Sequence, residues 1–167
     1  MQFQFPGFEL GQVKNVVDEM QQCRAAVANG PHVLRLLWRQ SLRLQQFDAG
    51  ARYYDQALMI EPKNAEFHYL YGTALARNGQ TAKGVVLLER AAYLVPGDVD
   101  YLYNLGVGYT VLTQYTMAVA CFEQVTGLVS NNSMVWYNLG LARMRLNQTS
   151  AAERAWSEVE LDAPVAA

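Results

Sequence analysis

Apolar and polar positions recur along this chain with two periods at once. The short period is helical: Leu102, Leu105 and Tyr109 share one face of a helix, and Ala118, Phe122 and Val125 share another after the break "LTQYT". The long period is 34 residues, because Tyr103-Asn104-Leu105-Gly106 returns as Tyr137-Asn138-Leu139-Gly140 and the glycine has an earlier counterpart in Gly72.

Other columns keep the same register. Gly50, Gly84, Ala118 and Ala152 are small, and Tyr54, Leu88, Phe122 and Trp156 are large. Ala57, Ala91, Val125 and Val159 are of modest size, and Leu37, Tyr71, Leu105 and Leu139 precede the glycine column. Pro62, Pro96 and Pro164 close three of the units, as expected of a residue that lacks an N–H and disfavours helix just before it, and Ser130 holds that place in the third unit. No insertion breaks the register, so the units run 31–64, 65–98, 99–132 and 133–164. Each reads as two helices joined by a short turn, with Asn78-Gly79-Gln80 and Leu146-Asn147-Gln148 at equivalent turns. Small columns let the two helices approach, and the large column fills the space between them.

This pattern resembles the tetratricopeptide repeat (TPR) over about residues 31–164. Trp136, Leu139, Gly140, Ala152, Trp156 and Pro164 carry the likeness in the last unit, and Leu105, Gly106, Tyr109, Ala118 and Phe122 carry it in the third. The resemblance implies an all-α, right-handed superhelical solenoid of helix-turn-helix repeats. "GVVLLERAAYLVPGDVDYLYNLGVGYT" is in addition similar to a bacterial magnetosome-associated scaffold of the same family.

Residues 1–30 read as an N-terminal arm and capping helix. Val13, Val16, Val17, Met20 and Val27 fall on one helical stripe, ended by Gly30-Pro31. Trp38 stands in the first unit where the others have glycine. After Leu161 only "DAPVAA" remains, so the last helix is expected to leave an apolar side uncovered. Self-association is the corresponding expectation, through Phe3, Phe5 and Phe8 at one end and Trp156, Val159 and Leu161 at the other. Met59, Val86, Tyr93 and Met117 take outer positions on second helices where polar residues are usual.

In a TPR stack the first helices line a concave groove, and the register selects the side chains facing it. The expected peptide-binding residues are Arg35, Arg39 and Arg43; Tyr69, Thr73 and Arg77; Tyr103 and Val107; and Tyr137, Leu141 and Arg145. Tyr69, Tyr103 and Tyr137 form a ladder, and Arg43, Arg77 and Arg145 share a column with Val111 in its gap. A basic groove with aromatic rungs suits an acidic protein segment, extended or helical, since arginine offers forked donors to carboxylates. The carboxylate clamp of some TPR proteins is spoiled here: the equivalent places hold Arg35, Arg39, Leu70, Asp100 and Asn104.

Composition narrows the classes. Apolar residues make up 51% of the chain and charged ones 17%, which excludes a disordered chain. A net charge of -2 gives no reason to expect nucleic acid as a partner. No run of about 18 uninterrupted apolar residues is present, so no direct membrane insertion is expected. The start "MQFQFPGFEL" is not a signal peptide, and the expected location is cytoplasmic, peripheral to a larger assembly. Cys23 and Cys121 form no CxxC, and Cys121 is expected to be a buried, inert thiol. His32 and His68 have no metal-ligand neighbours, and "GVG" at 106–108 lies mid-helix without a following Lys-Ser/Thr. No catalytic set, metal or cofactor is expected. The sequence reading is a non-catalytic scaffold or adaptor that binds a protein segment. Its alternatives are a class II chaperone of type III secretion, which carries three repeats and a C-terminal helix, and a regulatory subunit of an enzyme complex.

Overall fold

The computed structural model describes residues 31–43 and 47–161. The expected N-terminal helix, Phe3, Phe5, Phe8 and Cys23 lie outside the described residues. The chain divides into two compact units, Met1–Pro62 and Lys63–Ala167. In the first are α1 (Pro31–Arg43) and α2 (Phe47–Ile60). In the second are α3 (Ala65–Arg77), α4 (Thr81–Leu94), α5 (Val99–Val111), α6 (Tyr115–Leu128), α7 (Ser133–Arg145) and α8 (Thr149–Leu161). The described residues are therefore all-α, and their helix pairs follow the 34-residue register read from the sequence.

In the first unit α1 packs on α2, burying Leu34, Leu37, Tyr54 and Ala57. Ser41 is fully buried there and donates to the Leu37 carbonyl at 2.8 Å, so its hydroxyl is satisfied within its own helix.

The second unit stacks three helix pairs. Its core joins Val85, Leu88, Leu102, Leu105, Tyr109, Phe122, Val125, Val135 and Leu139 into one cluster. The close approach within each pair is set by missing Cβ atoms. A Cβ on Gly84 would lie 2.5 Å from the Gly72 carbonyl oxygen, and one on Gly72 would lie 2.8 Å from that of Gly84. In the next pair the ring of Phe122 fills the space, 2.7 Å from a Cβ built on Gly106. In the last pair the Trp156 indole does the same over Gly140. The small column and the large column thus work as a matched set, and backbone contact replaces ring contact where both partners are glycine.

Helix ends repeat as faithfully as the core. Asn64, Asp98 and Asn132 cap α3, α5 and α7, each side chain accepting from the N–H three residues on, at 3.2, 3.0 and 3.3 Å. At the other ends of these helices Gly79, Thr113 and Asn147 are left-handed, with φ of 80°, 60° and 59°. The N–H groups of Gln80, Gln114 and Gln148 then reach back to the carbonyls of Leu75, Tyr109 and Arg143, each at 2.9 Å. This is the Schellman closure, which satisfies the last carbonyls and turns the chain into the second helix.

Two further ties join successive pairs. Tyr109 on α5 donates to Glu89 on α4 at 2.6 Å, and Arg143 on α7 pairs with Glu123 on α6 at 2.7 Å. Arg143 also donates to the Ala151 carbonyl at 3.0 Å, so one guanidinium fastens α6, α7 and α8. Burial, then the hydrogen bond to Glu89, then its charge hold the Tyr109 hydroxyl well above its ordinary range. Cys121 is buried as expected, and burial, with the charge of Glu89 adding to it, pushes its thiol up to about 11.

Three outcomes follow from these contacts. Gly84→Ala forces a Cβ into facing backbone and lowers stability by about 1–3 kcal/mol. Gly127→Ala meets nothing within 4 Å and raises stability by about 0.5–1 kcal/mol. Urea midpoints that shift alike for the two would refute the close-approach account. Thr113→Gly relieves a β-branched residue at positive φ, worth about 1–2 kcal/mol before glycine's greater freedom in the unfolded chain is subtracted. A rise in melting temperature is expected, and a fall would show that Thr113 is not strained.

The third outcome concerns pH. Cys121 keeps its proton in both states below its ordinary value of 9.0. Between that value and about 11 the unfolded chain loses the proton first, so folding stability falls as pH rises. The total loss from this group is at most about 2–3 kcal/mol. Cys121→Ala removes that part of the slope, measured by urea unfolding across the interval. An unchanged slope would refute it.

Candidate protein-binding face

Within the second unit the first helices of successive pairs touch one another, α3 to α5 and α5 to α7, while α4, α6 and α8 make no comparable contact among themselves. Helices on the inside of a curve lie closer together than those outside it. The side chains that α3, α5 and α7 turn away from their second helices therefore line the inner face of this unit.

The tyrosine ladder is present there, but its rungs are not alike. Asn104 on α5 donates to the Tyr69 hydroxyl at 3.2 Å and to the Asp100 carbonyl at 2.8 Å. Asn138 on α7 donates to the Tyr103 hydroxyl at 3.1 Å. Tyr69 and Tyr103 are half-buried and packed against the core, and Tyr69 also stacks on Tyr101 with ring centroids 4.7 Å apart. Burial first, then the negative charge of Asp100, raises the Tyr69 hydroxyl above its ordinary value. For Tyr101 burial again leads, followed by Asp98. Tyr137 is different: it is 51% exposed, and its hydroxyl makes no hydrogen bond among the described residues.

The rest of the face changes character from α3 to α7. On α3, Thr73 is half-buried with a buried Oγ1 that lacks a partner among the described residues, and Arg77 is exposed. On α5, Val107 is half-buried and Val111 exposed. On α7, Met134, Leu141 and Met144 are 63%, 39% and 40% exposed, beside an exposed Arg145. Arg77 and Arg145 have no ion-pair partner among the described residues. Negative charge sits at the opposite ends of the same helices, in Glu66 and Asp100.

The structure thus brings Tyr69, Thr73, Arg77, Tyr103, Val107, Tyr137, Leu141 and Arg145 onto one face. Arg35 and Arg39 belong to α1 in the first unit, where Arg39 is exposed; Arg43 closes that helix, and its side chain lies outside the described residues. Of the residues expected to self-associate, Trp156 is half-buried over Gly140 and donates to the Tyr137 carbonyl at 3.2 Å, so most of its ring serves the last helix pair. Val159 is half-buried, and the Leu161 side chain lies outside the described residues. Met59, Val86, Tyr93 and Met117 are exposed as the register implies.

Sequence reasoning missed the bridging role of Asn104 and Asn138 and the pairing of Glu89 and Glu123 with the following repeat. The signal was present. The two asparagine bridges each span 35 residues, and the two glutamate ties each span 20. Among the described residues no three His, Cys, Asp or Glu side chains are grouped to hold a metal ion, and no helix is long and apolar enough to cross a membrane.

Comparison with known proteins follows the same lines. The sequence profile of the tetratricopeptide repeat matches residues 41–105. Comparison with curated protein sequences gave no match. Among solved structures, MamA superposes with a TM-score of 0.79 at 16% identity, covering 93% of this chain and 95% of that one. MamA from Desulfovibrio magneticus RS-1 gives 0.73 at 18% identity, covering 89% and 93%. YrrB, described as a TPR protein with an unusual peptide-binding site, gives 0.73 at 16% identity, covering 90% and 82%. At such identities the likeness is one of fold. The 34-residue register, the profile match over residues 41–105 and the shared fold thus agree, and the chain resembles the tetratricopeptide repeat proteins in each of them.

Proposed function

We propose that the chain is a protein-interaction scaffold without catalytic activity of its own, and that the inner face of its second unit binds a protein segment bearing carboxylates. The observation that carries this reading is the exposed side of α7 together with Arg77 and Arg145. Val111, Met134, Tyr137, Leu141 and Met144 leave apolar area in water on one face, whereas soluble proteins seldom leave contiguous apolar patches without a use for them. Two unpaired guanidiniums at the edge of that area supply forked donors for a carboxylate. The peptide-binding site named for YrrB, a protein of like fold, points the same way.

The test is to recover bound proteins from the native host, map the bound segment, and titrate it against variants. Exposed ion pairs contribute about 0.2–1 kcal/mol each. Arg77→Ala with Arg145→Ala is therefore expected to weaken binding roughly 2- to 30-fold with the melting temperature unchanged. Affinity is expected to fall with added salt, because such pairs are screened over about 8 Å at physiological ionic strength. Affinity insensitive to both the double substitution and salt would refute the carboxylate reading.

A further inference from the structure

The inner face of the second unit is not a uniform ladder, and its asymmetry says what kind of segment it takes. This inference rests on the reading of that face as the binding face and asks where and in what conformation a partner is held. We infer that the partner docks as an amphipathic helix, laid along α7 by an apolar stripe, with an acidic side chain set against Arg145.

Three observations lead there. First, much of the amide donor capacity on this face is already committed, and the exposed strip of α7 is mostly apolar. Asn104 donates to both Tyr69 and the Asp100 carbonyl, and Asn138 donates to Tyr103. An extended backbone pressed onto Met134, Tyr137, Leu141 and Met144 would lose water from its N–H and C=O groups and find only the Tyr137 hydroxyl on that strip to replace it, which is costly. A helix satisfies its own backbone and offers only side chains.

Second, the four exposed residues of α7 are spaced i, i+3, i+7 and i+10, so they form one continuous strip about 15 Å long at 1.5 Å per residue. A strip of that length matches three turns of a facing helix with apolar residues at the same spacing. Two of the four are methionines, whose unbranched, polarizable side chains adapt to differently shaped partners.

Third, charge on α7 is one-sided. The helix carries two arginines and no acidic residue. Arg143 is engaged with Glu123 and the Ala151 carbonyl, while Arg145 is exposed and has no ion-pair partner among the described residues. A facing helix with an acidic flank complements that single free cation. Tyr137, whose hydroxyl lacks the asparagine bridge found at the two other rungs, adds a rigid aromatic surface at the middle of the strip.

The experiment uses an mRNA-display library of random peptides about five helical turns long, roughly 18 residues, selected against the full chain. The enriched sequences are then measured individually by fluorescence anisotropy and circular dichroism. Expected are apolar residues at i, i+3 or i+4, and i+7 with Asp or Glu on one flank, and a gain of helix on binding. Leu141→Glu is expected to weaken these peptides at least tenfold and Arg145→Glu several-fold. Met144→Ser serves as a second, milder probe of the same strip, and the melting temperature of each variant confirms that it folds. Enriched peptides without helical periodicity that weaken with Arg77→Ala but not with Leu141→Glu would overturn the helix and leave the binding face standing. Peptides indifferent to every one of these substitutions would overturn both. If Leu141→Glu lowers the sedimentation coefficient of the chain alone, the strip is covered by a second copy, and a partner helix is excluded as its occupant.

Discussion

Two helix backbones can approach closely only where no Cβ stands between them, and the second unit depends on that constraint. Gly72 against Gly84 is the limiting case, with facing carbonyls inside the distance any Cβ tolerates. In the next pairs one glycine is retained and an aromatic ring occupies the space it opens, Phe122 over Gly106 and Trp156 over Gly140. The separation within a pair fixes where the following pair begins. Gly108 on α5 applies the same device across that boundary, since a Cβ there would lie 2.7 Å from Val85 on α4. One structural rule, repeated every 34 residues, therefore sets both the pair and the stack.

Polar ties then lock what packing brings together. Tyr109 with Glu89 and Arg143 with Glu123 fasten the outer side of each junction, while Asn104 with Tyr69 and Asn138 with Tyr103 fasten the inner side. Packing alone is weakly directional, because apolar area has no preferred partner. A hydrogen bond at 2.6–3.2 Å has one, and a partly buried donor left without its acceptor is costly. The ties thus resist sliding of one pair over the next, and they hold the inner face in a fixed shape.

The sequence made the repeat legible because its columns are read by size alone: small beside large, at constant spacing. The helix pairs, the buried columns and the inert Cys121 all follow from that. The tyrosine ladder was equally visible, but its inequality was not. Tyr69, Tyr103 and Tyr137 are identical letters in one column, and only the asparagine of the next repeat decides whether a hydroxyl is already engaged. Trp156 shows the same limit. An aromatic in the final helix reads as uncovered, yet the space above Gly140 in its own pair accommodates most of the ring. Thr113 was illegible for a different reason. Gly79 and Asn147 announce a left-handed residue, whereas threonine at the same turn is tolerated only because the surrounding closure determines its backbone.

Because the glycine, large-residue and capping columns carry the fold, the inner side chains outside the tyrosine–asparagine ties are released from structural duty and can differ from repeat to repeat. They do differ, and in the first of two columns the change runs in one direction. Thr73, Val107 and Leu141 occupy one column, and Arg77, Val111 and Arg145 another. Along the first column a half-buried hydroxyl gives way to an exposed leucine. A uniform ladder would hold a ligand equally well in either direction and in several registers. The first column, polar at α3 and apolar at α7, makes the two ends of the face unequal, although an arginine stands at each end of the second. The two ends of the face thus differ in the first column, while each repeat beneath it keeps the same fold.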